Sequence, residues 1–172
     1  IFSGVTTNPK LLAGLPRSEH LERLAEIARI CPGSLYAQVD HGLADLMEHE
    51  ALTLREVAPG RTVIKVPMSR EGLVLVGRLH THQVPVCITA VFSAAQALLA
   101  GAAGASAAAV YVGRIDKSGA DGAQVVADSA ALLSANGHRT RVLAASIPDV
   151  DRLVQVLKVP DIDATVPASL VA

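Results

Sequence analysis

The stretch QVPVCITAVFSAAQALLAGAAGASAAAVYVG, residues 83–113, runs for 31 residues without an Asp, Glu, Lys or Arg. Its length alone would suit a membrane span. Its composition does not: Ala and Gly dominate, Gln96 and several Ser and Thr interrupt it, and Pro85, Gly101 and Gly104 break it. It reads instead as a strand at 86–89, a helix at 93–100 and a strand at 107–112, all buried in an α/β protein.

The same alternation continues on both sides. Short apolar runs rich in β-branched residues fall at 4–6, 35–39, 62–66, 141–145 and 162–166. Helical patterns fill the gaps. Ser18 is placed to cap a helix running to Cys31, with Leu21, Leu24, Ile27 and Ala28 on one face. Residues 43–57 put Leu43, Leu46, Met47, Ala51 and Leu54 on one stripe, and Ser69 caps a helix with Leu73, Val76 and Leu79 inward. Residues 122–135 and 150–157 complete the helices, and Pro32-Gly33, Pro59-Gly60, Asn136-Gly137 and Pro160 punctuate the series. Nearly uncharged strands alternating with helices predict a parallel sheet with helices outside. An open doubly wound sheet and a (β/α)8 barrel both satisfy this. No GxGxxG or GxxxxGK[ST] follows a strand, which weakens the nucleotide-binding sheet and favours the barrel. Seven strands are visible where a barrel has eight.

Composition narrows the function classes. A chain of 172 residues suits a single domain, and 51% hydrophobic against 18% charged residues excludes disorder. A net charge of −1 without a basic tract argues against nucleic-acid binding. Cys31 and Cys87 are far apart and read as reduced thiols of a cytoplasmic protein. The first residues lack the basic start and apolar run of a signal peptide. Aromatics are scarce, at 2%, so the placing of Phe2, Tyr36, Phe92 and Tyr111 carries information.

Barrel chemistry sits at the C-terminal ends of strands. The polar residues there are Thr6, Asn8, Gln38, Lys65, Thr89, Tyr111, Arg114 and Ser146. Lys65, in TVIKV, has no Asp or Glu within five residues on either side. A desolvated lysine loses its proton readily and becomes a nucleophile for carbonyls; the plainer reading is a lysine that is paired or snorkels to water. Tyr111 is a core aromatic or a proton carrier beside the lysine. Gln38 and Thr89 satisfy backbone groups or together hold a water. Arg114 is a surface charge or a phosphate ligand, with Ser146 adding a hydroxyl or N–H. His80 and His82 face apart on a helix, and His20, His41, His49 and His138 are scattered, so no metal site is expected. Asp116, Asp121 and Asp128 read as loop and helix-surface charges.

Five segments in order, GVTTNPKLLAG (4–14), IKVP (64–67), TAVFSAAQALLAGAAGA (89–105), YVGRID (111–116) and LAAS (143–146), resemble the transaldolase family. They are most similar to its small fructose-6-phosphate aldolase branch. The resemblance implies a (β/α)8 TIM barrel and a class I mechanism without metal or other cofactor. It implies that Lys65 forms the Schiff base, Asn8 (with Thr6 beside it) holds ketose hydroxyls, Tyr111 is the acid/base, and Gln38 and Thr89 position the catalytic water. Arg114 and Ser146 match phosphate-binding positions. True transaldolases typically carry Glu at the Gln38 position and Phe at the Tyr111 position, whereas VGRID is closer to their wording.

One departure matters. The family's first strand, with an Asp near the lysine, is expected upstream of GVTTNP, and its last helices are expected after TVPASLVA. The expectation is therefore a single barrel domain over residues 1–172, truncated at both ends. The implied activity is cleavage or formation of the C3–C4 bond of a ketose phosphate such as fructose 6-phosphate, with dihydroxyacetone as donor. Transfer of that unit between sugar phosphates, and a non-catalytic sugar-phosphate-binding barrel, are the alternatives. The implied partners are a sugar phosphate and further copies of the chain, with neither nucleic acid nor membrane, in the cytoplasm.

Overall fold

The computed structural model describes residues 2–40 and 42–171. His41, one of the scattered histidines, lies outside the described residues. Elements follow in the order β1 (Gly4–Thr6), α1 (Pro9–Leu12), α2 (His20–Ile30), β2 (Ser34–Gln38), α3 (Ala44–Arg55), β3 (Thr62–Pro67) and α4 (Arg70–Thr81). Then come β4 (Val86–Val91), α5 (Ala94–Ala102), β5 (Ala107–Tyr111), α6 (Val112–Lys117), α7 (Gly122–Ala135), β6 (Arg141–Ala145), α8 (Val150–Val156) and β7 (Asp163–Ala164). Among the described residues, seven parallel strands in chain order with helices between them make this the expected α/β fold, of (β/α)8 TIM-barrel type with one strand fewer than a full barrel. The uncharged stretch is β4, α5 and β5. Among the described residues no helix is long and apolar enough to cross a membrane.

Two compact units divide the chain, residues 1–87 and 88–172, the division falling within β4. In the first, β1 pairs with β2 and β2 with β3, with Thr6 opposite Tyr36 and Gln38 opposite Lys65. Strand side chains alternate between faces, so Leu35 and Ala37 share one face with Ile64 while Tyr36 and Gln38 share the other with Val63 and Lys65. Leu35, Ala37, Ile64 and Val66 are fully buried, and α3 packs on β3 through a buried set of Met47, Ala51 and Leu54. In the second unit β5 pairs with β6 and β6 with β7, and α7 packs on α5, β5 and β6 through Val126 and Leu133. Its sheet is built of very small side chains, Ala107, Ala108, Ala109, Ala144 and Ala145, all buried.

Several local expectations are corrected. Pro16 starts a 3-10 turn over Arg17–Glu19, so Ser18 lies inside that turn and α2 begins without a side-chain cap. A cap needs extended backbone at its own position, which a residue within a turn does not have. Leu24 and Ala28 carry the buried face of α2, while Leu21 is exposed. Leu43, just before α3, and Leu46 on it are 65% and 50% exposed, and Met47, Ala51 and Leu54 alone form the inward stripe. On α4 the buried pattern includes Leu75, with Leu73 only half-buried; Ser69 caps this helix as expected, accepting from Gly72 N at 2.9 Å. The last strand shrinks to two residues.

Candidate functional site

In the first unit the site grows from β3. Lys65 is 6% exposed, and its Nζ donates to the Thr7 carbonyl at 2.9 Å. Gln38 stands opposite it on β2. On the other side, Ile64 N donates to Pro85 O at 2.9 Å, the parallel pattern that puts Cys87 opposite Lys65. Gln38, Lys65 and Cys87 therefore form one row across three strands. Burial holds the Lys65 pKa below the ordinary lysine value, and the Cys87 charge opposes this more weakly. A lowered pKa leaves more of the amine neutral, the form that attacks a carbonyl.

Around the lysine the strand ends are tightly tied. Thr7 N and Thr7 Oγ1 both donate to Tyr36 O, each at 2.8 Å. Asn8 has extended backbone and caps α1, its Oδ1 accepting from Leu11 N at 3.0 Å, with Pro9 filling the first turn. That cap uses only Oδ1, so the Asn8 amide keeps two N–H donors. The Gln38 Oε1 is buried and has no hydrogen-bond partner among the described residues. A buried amide oxygen of this kind calls for a donor, which fits a group that positions a water or a substrate hydroxyl. Asn8 and Gln38 also line a cavity of about 280 Å³ whose wall includes Thr7, Arg17, Asp40 and His49. Arg17 pairs with Asp40 there, and Glu50 accepts from Asp40 N at 2.9 Å.

In the second unit the centre is Tyr111, at the end of β5. Its hydroxyl lies 2.9 Å from Thr89 Oγ1 on β4. The Phe92 ring meets its ring edge-on at 5.8 Å, and the Arg114 guanidinium lies 4.7 Å above it. Arg114 is exposed on α6, a helix absent from the expected pattern, which directly follows β5. Ser146 follows β6 with φ of +59°, a backbone that L residues rarely adopt, and its carbonyl accepts from Gly113 N at 3.0 Å. Thus Thr89, Tyr111 and Arg114 are gathered by direct contact, and Ser146 joins them through Gly113.

Sequence reasoning missed five contributors. Thr7 lay within GVTTNP but was passed over for its neighbours. Phe92 carried the signal of a rare aromatic in an apolar stretch. Asp116 is not a plain surface charge: it accepts from Gly122 N at 2.8 Å and receives both forks of Arg152, at 2.9 and 3.0 Å. This clamp joins α6 to α7 and α8, and Arg152 had given no sign of it. Cys87 was read only as a reduced thiol.

Residues 1–172 match the family described as Transaldolase/Fructose-6-phosphate aldolase. The chain belongs to this family. A probable transaldolase of Caulobacter vibrioides is 39% identical over 147 residues, 86% of this chain and 67% of that protein. Those of Shouchella clausii and Moorella thermoacetica are 38% and 40% identical, over 99% and 97% of this chain and 78% and 77% of their own lengths. As a member of the transaldolase/fructose-6-phosphate aldolase family, the protein is a Schiff-base-forming enzyme of the aldolase and transaldolase type.

Proposed function

We propose that this protein makes and breaks the C3–C4 bond of a ketose phosphate such as fructose 6-phosphate, with Lys65 as the Schiff-base lysine. The observation that carries the reading is the burial of Lys65 in an apolar strand, its pKa lowered, within a family of Schiff-base enzymes. The amine adds to the ketose carbonyl at C2, and loss of water gives an iminium. A base then removes the C4 hydroxyl proton, the C3–C4 bond breaks, and its electron pair enters the iminium to leave an enamine and a free aldehyde. Tyr111 serves as that base, through a water positioned by Gln38 and Thr89; its hydroxyl contact with Thr89 supports this role. Protonation of the enamine at C3 and hydrolysis then release dihydroxyacetone. Asn8, with Thr6, binds ketose hydroxyls, and Arg114 and Ser146 hold the phosphate and so orient the scissile bond.

A second reading is transaldolase activity, in which the enamine attacks another aldehyde phosphate. The printed names of the relatives favour it. Borohydride added with fructose 6-phosphate is expected to trap an adduct on Lys65, seen by peptide mass; its absence would defeat both readings. Fructose 6-phosphate supplied without an acceptor separates them: free dihydroxyacetone marks the aldolase, and turnover only with an added aldehyde phosphate marks the transaldolase. Tyr111→Phe is expected to depress dihydroxyacetone release by at least about tenfold, and transfer to an acceptor much less.

A further inference from the structure

The Schiff-base reading names the lysine but leaves open what holds its nitrogen. We infer that the main-chain carbonyl of Thr7 is a catalytic group that accepts the N–H of Lys65 throughout the reaction. We also infer that the Thr7 side chain is the device that aims it. The inference rests on Lys65 being the nucleophile.

The geometry is specific. Lys65 Nζ lies 2.9 Å from Thr7 O, and Thr7 is only 4% exposed. Its own N–H and hydroxyl converge on a single acceptor, Tyr36 O, each at 2.8 Å. On the other side Asn8 and Pro9 fix the chain as it enters α1. The carbonyl is thus anchored on both sides, one residue beyond the end of β1.

The chemistry needs such an acceptor. A free amine has two hydrogens and one lone pair. A bond from one hydrogen to Thr7 O limits rotation about Cε–Nζ and so limits where the lone pair points. After addition to the ketone, the carbinolamine takes one proton from a general acid and loses water. The nitrogen keeps one hydrogen and gains a positive charge. In a buried strand that cationic N–H needs a partner, and a fixed carbonyl dipole provides one without reorganising during the step. The carbonyl is not consumed. Its bond strengthens as charge develops, which is the condition for accelerating the step rather than only tightening binding.

Thr7→Val keeps the shape of the side chain and removes its hydroxyl bond; Thr7→Ser keeps the hydroxyl. With the full chain and fructose 6-phosphate, Thr7→Val is expected to slow borohydride trapping and lower kcat by about tenfold, while KM changes by less than about twofold. Thr7→Ser is expected to recover most of that loss. A purely structural role would instead lower the unfolding midpoint and raise KM together, and trapping by Thr7→Val at the wild-type rate would overturn the inference. If Thr7→Val does not fold, the crystal structure of the reduced wild-type adduct decides the matter. A Lys65 nitrogen within about 3.2 Å of Thr7 O supports the assignment, and one beyond about 3.5 Å overturns it. Failure of the wild type to trap at all is a different result, since it removes the Schiff-base reading before Thr7 is tested.

Discussion

A lysine that is 6% exposed on an apolar strand binds its proton less readily than one in water, because charging it there means losing hydration. The sign of its effect on stability follows. The folded pKa lies below the ordinary 10.5, so between the folded value and 10.5 the unfolded chain holds more protons. Stability therefore rises with pH across that window, and the charged lysine is most costly below it. Lys65→Met is expected to abolish the adduct and yet be more stable than the wild type in neutral buffer. The advantage should shrink as the pH rises towards 10.5 and level off above it, where the wild-type amine is neutral in both states. Urea melts of both proteins at neutral pH and at about pH 10 measure this; a gain independent of pH would count against a protonated buried lysine. The exposed charge of Arg114 is a different case, because it is held by the Tyr111 ring face and needs no desolvation to act. Lys65 was legible from its place in TVIKV, because a lysine without local acidic partners stands out in an apolar run. Thr7 was not, because a main-chain carbonyl carries no sequence signal and its aim depends on Tyr36, 29 residues away.

Helix α6 shows how an element can arise without its own sequence signal. VGRIDK has no capping side chain at its start and too few residues for a stable isolated helix. It is held from outside, by Arg152 of α8 forked onto Asp116, and by Gly113 against the backbone after β6. That approach is close: a Cβ on Gly113 would lie 2.5 Å from Ser146 O and 3.4 Å from Pro148 Cδ. Gly113→Ala must therefore push Ser146 away or tilt α6. The expected cost is about 1–3 kcal/mol of stability, measured by urea melts. In the proposed function the same change should raise KM for a phosphorylated substrate more than for its unphosphorylated analogue; equal effects on both would separate this turn from phosphate binding. Elements with local signals were read correctly, as with α7 over Gly122–Ala135 and the Ser69 cap of α4. The α2 start was misread because Pro16 set the turn two residues earlier than Ser18 could.

Across the whole chain the charge is nearly balanced, at −1 with a pI near 6.6. A protein that neutralises many phosphates needs a basic surface. Fluorescence anisotropy with a labelled DNA duplex at low salt is therefore expected to give no saturable binding, and a salt-sensitive binding curve would contradict this. Solubility should likewise pass through a minimum near pH 6.6, measured by polyethylene glycol precipitation. The sequence by itself determined the α/β class and the order of the strands, and it singled out Lys65 as the candidate nucleophile. Those follow from local periodicity, from the absence of charge in buried strands, and from the cost of placing an amine there. Only the tertiary structure decided which groups touch: Thr7 O on Lys65 Nζ, the Thr89 and Tyr111 hydroxyls, Arg152 on Asp116. Such contacts join residues 22 to 58 positions apart. They depend on strand register and loop path, which cooperative packing sets and no short stretch of sequence specifies.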